Sequence, residues 1–165
     1  MTDVVVVGAG FAGMYALHTF RNQGLSVQVV EQGTNVGGTW YWNRYPGARC
    51  DVPSLEYSFG FSSELEQEWT WPEVFSAQPE ILKYANHIAD RFDLRRDIEF
   101  DTRITEVRYD EGANLWRLSA EDGREFAGKY CVMATGCLSV PNKPDLPGGK
   151  NTTRRGCARC FTTDD

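Results

Sequence analysis

With 165 residues, 41% of them hydrophobic and 24% charged, the chain has the length and composition of one globular domain rather than of a disordered segment. Its net charge of −6 argues against a nucleic-acid partner, which calls for a basic stripe. No apolar run approaches the roughly 20 residues of a membrane span, so the protein is expected to be cytoplasmic and to have no membrane partner. From the N-terminus, Val4 to Val7 is a run of β-branched residues that reads as a strand buried on both faces. Phe11 to Asn22 carries Met14, Ala16, Leu17 and Phe20 at the spacing of one helical face, and Gly24 is placed to end that helix. Ser26 to Glu31 reads as a second strand, which makes a βαβ unit with parallel pairing and a right-handed crossover.

Gln32 to Tyr57, rich in Gly, Trp, Tyr, Asn and Pro, reads as a long ordered loop with one helical turn, and loops of this length in a compact domain are usually functional. At least one of Trp40, Tyr41 and Trp42 is expected in the core. A helix is predicted over Pro79 to Phe92, with Ile81, Leu82, Ala85, Ile88, Ala89 and Phe92 on its apolar face. Ile98 to Phe100, Ile104 to Tyr109, Leu115 to Ser119 and Glu125-Phe126 read as short strands of an inserted β-meander. Tyr130 to Ala134 reads as a separate buried strand ending at Thr135-Gly136. His18 and His87 are expected to be packed or exposed helix residues rather than catalysts. Pro141, Pro144 and Pro147 mark a connector, and residues 149–165 read as a tail with one large apolar residue, Phe161. The five cysteines, with no export signal, read as free thiols. Cys157 and Cys160 have C-x-x-C spacing, yet no second pair or nearby His completes a metal site, so no metal is expected.

Gly8-Ala9-Gly10-Phe11-Ala12-Gly13 follows the first strand and opens the first helix, which is the context a Gly-x-Gly-x-x-Gly phosphate turn requires. Gly8 permits the tight turn, Gly10 lets the backbone approach a pyrophosphate, and Gly13 lets helix and strand pack closely. Free N–H groups at the helix N-terminus then face the phosphates. Glu31, 18 residues after Gly13, is placed to accept hydrogen bonds from ribose hydroxyls and disfavours a 2′-phosphate. These features together predict an α/β, Rossmann-like domain that binds FAD or NAD.

The stretch Gly37-Gly38-Thr39-Trp40-Tyr41-Trp42-Asn43-Arg44-Tyr45-Pro46-Gly47-Ala48-Arg49-Cys50-Asp51 resembles the flavin loop of Baeyer–Villiger monooxygenases of the cyclohexanone monooxygenase type, within the class B flavoprotein monooxygenases. The match continues through Glu56-Tyr57-Ser58, Gln78-Pro79-Glu80, Ala89 to Arg95, Ala134-Thr135-Gly136 and Leu138-Ser139-x-Pro141, and so covers roughly Val4 to Gly148. The resemblance implies FAD as cofactor, NADPH as reductant, and oxygen insertion from O₂ beside a ketone carbonyl to give an ester or lactone. It implies cofactor contacts from Phe11, Ala12, Gly38, Thr39, Trp40, Asp51, Tyr57, Ile104, Thr135 and Gly136, and places Arg49, Cys50 and Asp51 beside the nicotinamide. Asp51 is the implied catalytic-site acid, expected to hold an arginine from a later segment next to the reacting oxygen. On this reading residues 1–148 are the N-terminal portion of an FAD-binding domain, incomplete in itself. Residues 149–165 are a non-matching tail, expected to be disordered or translated out of frame, and the chain alone is expected to be inactive. Two alternatives stay open: another class B enzyme of the flavin-containing or N-hydroxylating type, or a non-catalytic flavin-binding module.

Overall fold

A computed structural model of the protein describes residues 1–140. The proline connector, the Cys157/Cys160 pair and the tail lie outside the described residues. Strands β2 (Val27–Val30), β3 (Ile98–Glu99), β4 (Ile104–Asp110), β5 (Leu115–Ala120) and β6 (Glu125–Met133) form one six-stranded sheet in the order β3-β2-β1-β6-β5-β4, around an internal strand β1 (Thr2–Val7). Its valine run is explained by that position. β2 (Val27–Val30) and β6 (Glu125–Met133) pair with it in parallel on either side, and both of its faces are covered. Val4 and Val6 enter one core cluster, with Met14 and Leu17 of helix α1 (Phe11–Asn22). The same cluster takes Tyr84, Ala85, Ile88 and Ala89 of a later helix, Gln78–Arg91. Val5 faces the other way, into a smaller cluster with Val30 and Leu118.

Helix α1 stops as the sequence predicts. Gly24 has φ +82°, its N–H donates to the Arg21 carbonyl at 3.0 Å, and the Leu25 N–H donates to the Phe20 carbonyl at 3.1 Å. That pair of bonds is the Schellman stop, which favours glycine at this position. The long loop contains a single turn of helix, α2 (Thr39–Trp42), and a second short helix, α3 (Ser63–Glu68), follows. The sequence reading did not assign α3. Its signal is Ser62, whose hydroxyl accepts the Leu65 N–H at 3.3 Å. The next helix, α4 (Gln78–Arg91), carries Pro79 in its first turn, and its largest buried side chain is Tyr84. His18 stacks on Phe61 at 4.3 Å and His87 lies 5.2 Å from Trp69, so both histidines are packed into an aromatic layer.

β3 (Ile98–Glu99), β4 (Ile104–Asp110) and β5 (Leu115–Ala120) complete the sheet. The meander is not a separate insertion but the far half of that sheet. The two strands expected over Glu125-Phe126 and Tyr130 to Ala134 are one nine-residue strand, β6. Its first part pairs antiparallel with β5 and its second part pairs parallel with β1. The change of partner falls at Gly128, which is registered with Trp116 on one side and Thr2 on the other. A Cβ there would sit 3.0 Å from Val5 Cγ2 and 3.2 Å from the Val5 nitrogen. The glycine between the two expected strands is therefore the residue that lets the strand run on past β1.

Candidate functional site

The parallel strands β1, β2 and β6 end at one edge, and the cleft opens beyond their carboxyl ends. Its volume is about 760 Å³, within the usual range for a cofactor site. The turn between β1 and α1 forms its floor. Gly8 has φ +104°, and a Cβ on it would lie 2.6 Å from the Ala134 carbonyl oxygen. A Cβ on Gly13 would lie 1.8 Å from the Gly8 carbonyl oxygen, so that glycine brings α1 against the turn. Gly10 meets a partner from the long loop: a Cβ on Gly38 would be 2.8 Å from the Gly10 Cα. Two glycines 28 positions apart thus press backbone to backbone. No side chain caps α1, so the N–H groups of its first turn are left to whatever occupies the cleft.

Glu31 stands just past β2 and is 5% exposed. Its carboxylate accepts the Ala9 N–H at 2.6 Å and the Gly33 N–H at 2.7 Å, which ties the acid to the glycine turn. A carboxylate has about four acceptor sites, so capacity remains for ligand hydroxyls. Thr102, Arg103 and Ile104 form the wall beyond Glu31, held by the Thr102 N–H donating to the Glu31 carbonyl at 2.9 Å.

The aromatic turn α2 builds the opposite wall. Trp40 is buried against Cys50 and Ile81, and its indole N–H donates to the Tyr57 hydroxyl at 2.9 Å. The two rings meet edge to face at 5.9 Å. Burial raises the Tyr57 phenol above its ordinary pKa, against the opposing effect of that indole bond. Tyr57 is therefore a neutral hydroxyl with its own proton still to donate. Trp42 also lines the cleft, whereas Tyr41 turns away to Thr34.

Of the residues expected from sequence, Gly8, Gly10, Phe11, Ala12, Glu31, Gly38, Thr39, Trp40, Tyr57, Ile104, Thr135 and Gly136 line this one cleft. Gly13 stands behind it. Arg49, Cys50 and Asp51 are not among its lining. They run along a short bridge in which the Cys50 N–H donates to the Ser76 carbonyl at 3.1 Å and Arg49 pairs with Glu73. Cys50 is buried under Trp40, and Asp51 is exposed. Arg103, Met133 and Val140 line the cleft with no expectation from sequence, and Gly37, Trp42 and Ser139, part of the resembling stretches but assigned no contact there, line it too. Among the described residues no group of His, Cys, Asp or Glu could hold a metal ion, and no helix is long and apolar enough to cross a membrane.

The chain is 44% identical over 146 residues to an acetone monooxygenase (methyl acetate-forming) from Gordonia sp. (strain TY-5), covering 88% of this chain and 27% of that protein. It is 42% identical over 147 residues to a phenazine N-monooxygenase from Lysobacter antibioticus, with the same coverage of each. A solved structure of an oxidized steroid monooxygenase bound to NADP superposes with a TM-score of 0.85 at 56% identity, over 90% of this chain and 29% of that one. The chain therefore spans 27% of the length of these curated relatives, and the similarity confirms the Rossmann-like fold. Residues 2–163 match the family model described as pyridine nucleotide-disulphide oxidoreductase, and the chain belongs to that family.

Proposed function

We propose that the cleft holds FAD and that the chain is the FAD-binding portion of an NADPH-dependent Baeyer–Villiger monooxygenase. The observation that carries the reading is the cradle at the start of α1. There Gly8, Gly10 and Gly38 leave bare backbone beside uncapped helix N–H groups, and the Glu31 carboxylate is tied to the same turn through the Ala9 N–H. A pyrophosphate needs that close approach and those donors. On this reading the first-turn N–H groups of Phe11 and Ala12 hold the pyrophosphate, and Gly13 behind them keeps the helix start against the turn. The free lone pairs of Glu31 take the adenosine ribose hydroxyls, with Ile104 beside them. Thr39, Trp40, Tyr57, Thr135 and Gly136 enclose the flavin portion.

When bound and reduced by NADPH, flavin supplies the activation of O₂ that places one oxygen beside a ketone carbonyl. The relative that forms methyl acetate from acetone supports that chemistry, since the two compounds differ by one oxygen inserted beside the carbonyl. Arg49, Cys50 and Asp51 are assigned to the nicotinamide side, with Asp51 orienting a cation contributed by a later segment. Its exposure leaves the carboxylate free to do so.

A second reading has its own support. The phenazine N-monooxygenase is nearly as similar as the ketone enzyme, so this portion of the chain also suits oxygen transfer to nitrogen. In both readings the flavin half-site is the same.

The test is direct. The purified chain, mixed with FAD and passed over a desalting column, is expected to retain the visible flavin band. Gly10→Val, which fills the gap against Gly38, is expected to abolish retention. A folded wild-type chain that takes up no FAD overturns the assignment. Supplying ketones and N-heterocycles to the longer protein that carries this segment separates the two oxygen acceptors.

A further inference from the structure

Asn43 stands where α2 ends, and its side chain does more than finish that turn. Nδ2 donates to the Thr39 carbonyl at 2.9 Å and to the Leu138 carbonyl at 2.8 Å. The first bond closes over α2. The second reaches 95 positions along the chain, to the segment that follows β6. Among the described residues it is the one hydrogen bond joining residues 135–140 to another part of the chain; the Ser139 hydroxyl bond to the Thr135 carbonyl, at 3.4 Å, stays inside the segment. Each end of the bridge carries a wall of the cleft: Thr39 and Trp42 on one side, Gly136, Ser139 and Val140 on the other. Leu138 is 60% exposed and Val140 85%, so their side chains supply little burial to hold the segment in place.

We propose that Asn43 is a positioning residue, a latch that fastens residues 135–140 to the aromatic turn and so sets how tightly the cleft closes on its cofactor. The inference rests on the flavin reading above. An unlatched segment lowers the fraction of molecules in the binding-competent form, and apparent affinity falls by that fraction. A carboxamide suits the task because one nitrogen carries two N–H donors and serves two carbonyls at once. Aspartate has the same shape and no N–H, and it would set a carboxylate against two carbonyl oxygens.

The test compares the wild-type chain with Asn43→Asp and Asn43→Ala. In ligand-free protein, chymotrypsin cleavage after Leu138, located by mass spectrometry, reads the latch itself. Both variants are expected to be cut there about tenfold faster, with cuts elsewhere unchanged. Titration with FAD, followed by flavin fluorescence, is expected to show binding about tenfold weaker in both. Equal cleavage at Leu138 in all three proteins overturns the latch, whatever FAD does. Faster cleavage with unchanged FAD affinity overturns its part in holding the cofactor. An Asp variant that behaves as wild type overturns the donor role. If the wild-type chain takes up no FAD, the flavin reading fails, and cleavage at Leu138 still decides whether the latch exists.

Discussion

Glu31 serves the fold before any ligand arrives, because its two oxygens accept the Ala9 and Gly33 N–H groups. Glu31→Gln keeps one acceptor and turns an NH₂ toward a backbone donor. A buried donor left without an acceptor costs about 1–3 kcal/mol, so urea unfolding of the ligand-free variant should show a loss of that size. An unchanged midpoint would mean that the acid is not holding the turn. Gly13 admits no such gradation. A Cβ 1.8 Å from the Gly8 carbonyl oxygen meets backbone, not a side chain that can swing aside. Gly13→Ala should therefore displace α1 from β1, seen as loss of the cooperative thermal transition or of soluble protein. His18 makes the stability depend on pH. Burial in the aromatic layer, with a smaller contribution from the charge of Arg21, lowers its pKa from the ordinary value near 6.5. As pH falls through the interval below that value, the unfolded chain takes a proton that the folded chain refuses, and stability drops. His18→Gln should make the decline between about pH 7 and pH 5 shallower. Parallel declines of variant and wild type would remove His18 as a contributor.

Local pattern made β1, α1 and β2 legible, because each is specified by residues close in sequence: a valine run, an apolar face, and a glycine at the stop. The glycine turn and Glu31 were legible for the same reason. The sequence pattern divides β6 in two, and Gly128 lies in the gap between the two expected strands. Its reason lies across the sheet, in the closeness of Val5. Gly128→Val should force β1 and β6 apart or strain the strand, at about 1–3 kcal/mol. That corresponds to a fall in melting temperature of roughly 2–12 °C for a chain of this size. No change would show that the sheet has room there after all. Helix α3 is one of the short ones, and its cues are slight: a capping serine, Ser62, with Glu64 and Glu66 in the first turn. Trp42, Arg103 and Ser139 carry no local sign of belonging together, and only the arrival of five separate stretches at one sheet edge makes them neighbours. Arg49, Cys50 and Asp51 came from resemblance alone, and the short bridge to Ser76 and Ala77 runs them along the side of the aromatic turn instead of into the cleft.

Because the cleft takes its walls from residues 7–12, 30–42, 57, 102–104 and 133–140, a ligand that fills it joins five stretches that are far apart along the described chain. The two core clusters lie on opposite faces of the one sheet, and β1 contributes to both. A ligand at the end of β1 is thus coupled to the whole core rather than to one loop. Binding to the folded state alone stabilises it by mass action, about 2.7 kcal/mol when the free ligand is at 100 times its dissociation constant. For a chain of this size that is a rise of roughly 5–10 °C in melting temperature. FAD at that excess is expected to raise a single transition, read both by far-ultraviolet circular dichroism and by tryptophan fluorescence. Trp40 and Trp42 lie at the cleft and Trp116 lies in β5, so the fluorescence samples both ends of the sheet. If the cleft were an autonomous flap, the two probes would separate, with the fluorescence of the aromatic turn shifting and the circular dichroism midpoint staying where it was. A joint shift that vanishes in Gly10→Val would tie the stabilisation to the phosphate cradle, since that substitution fills the gap against Gly38 and leaves both core clusters intact.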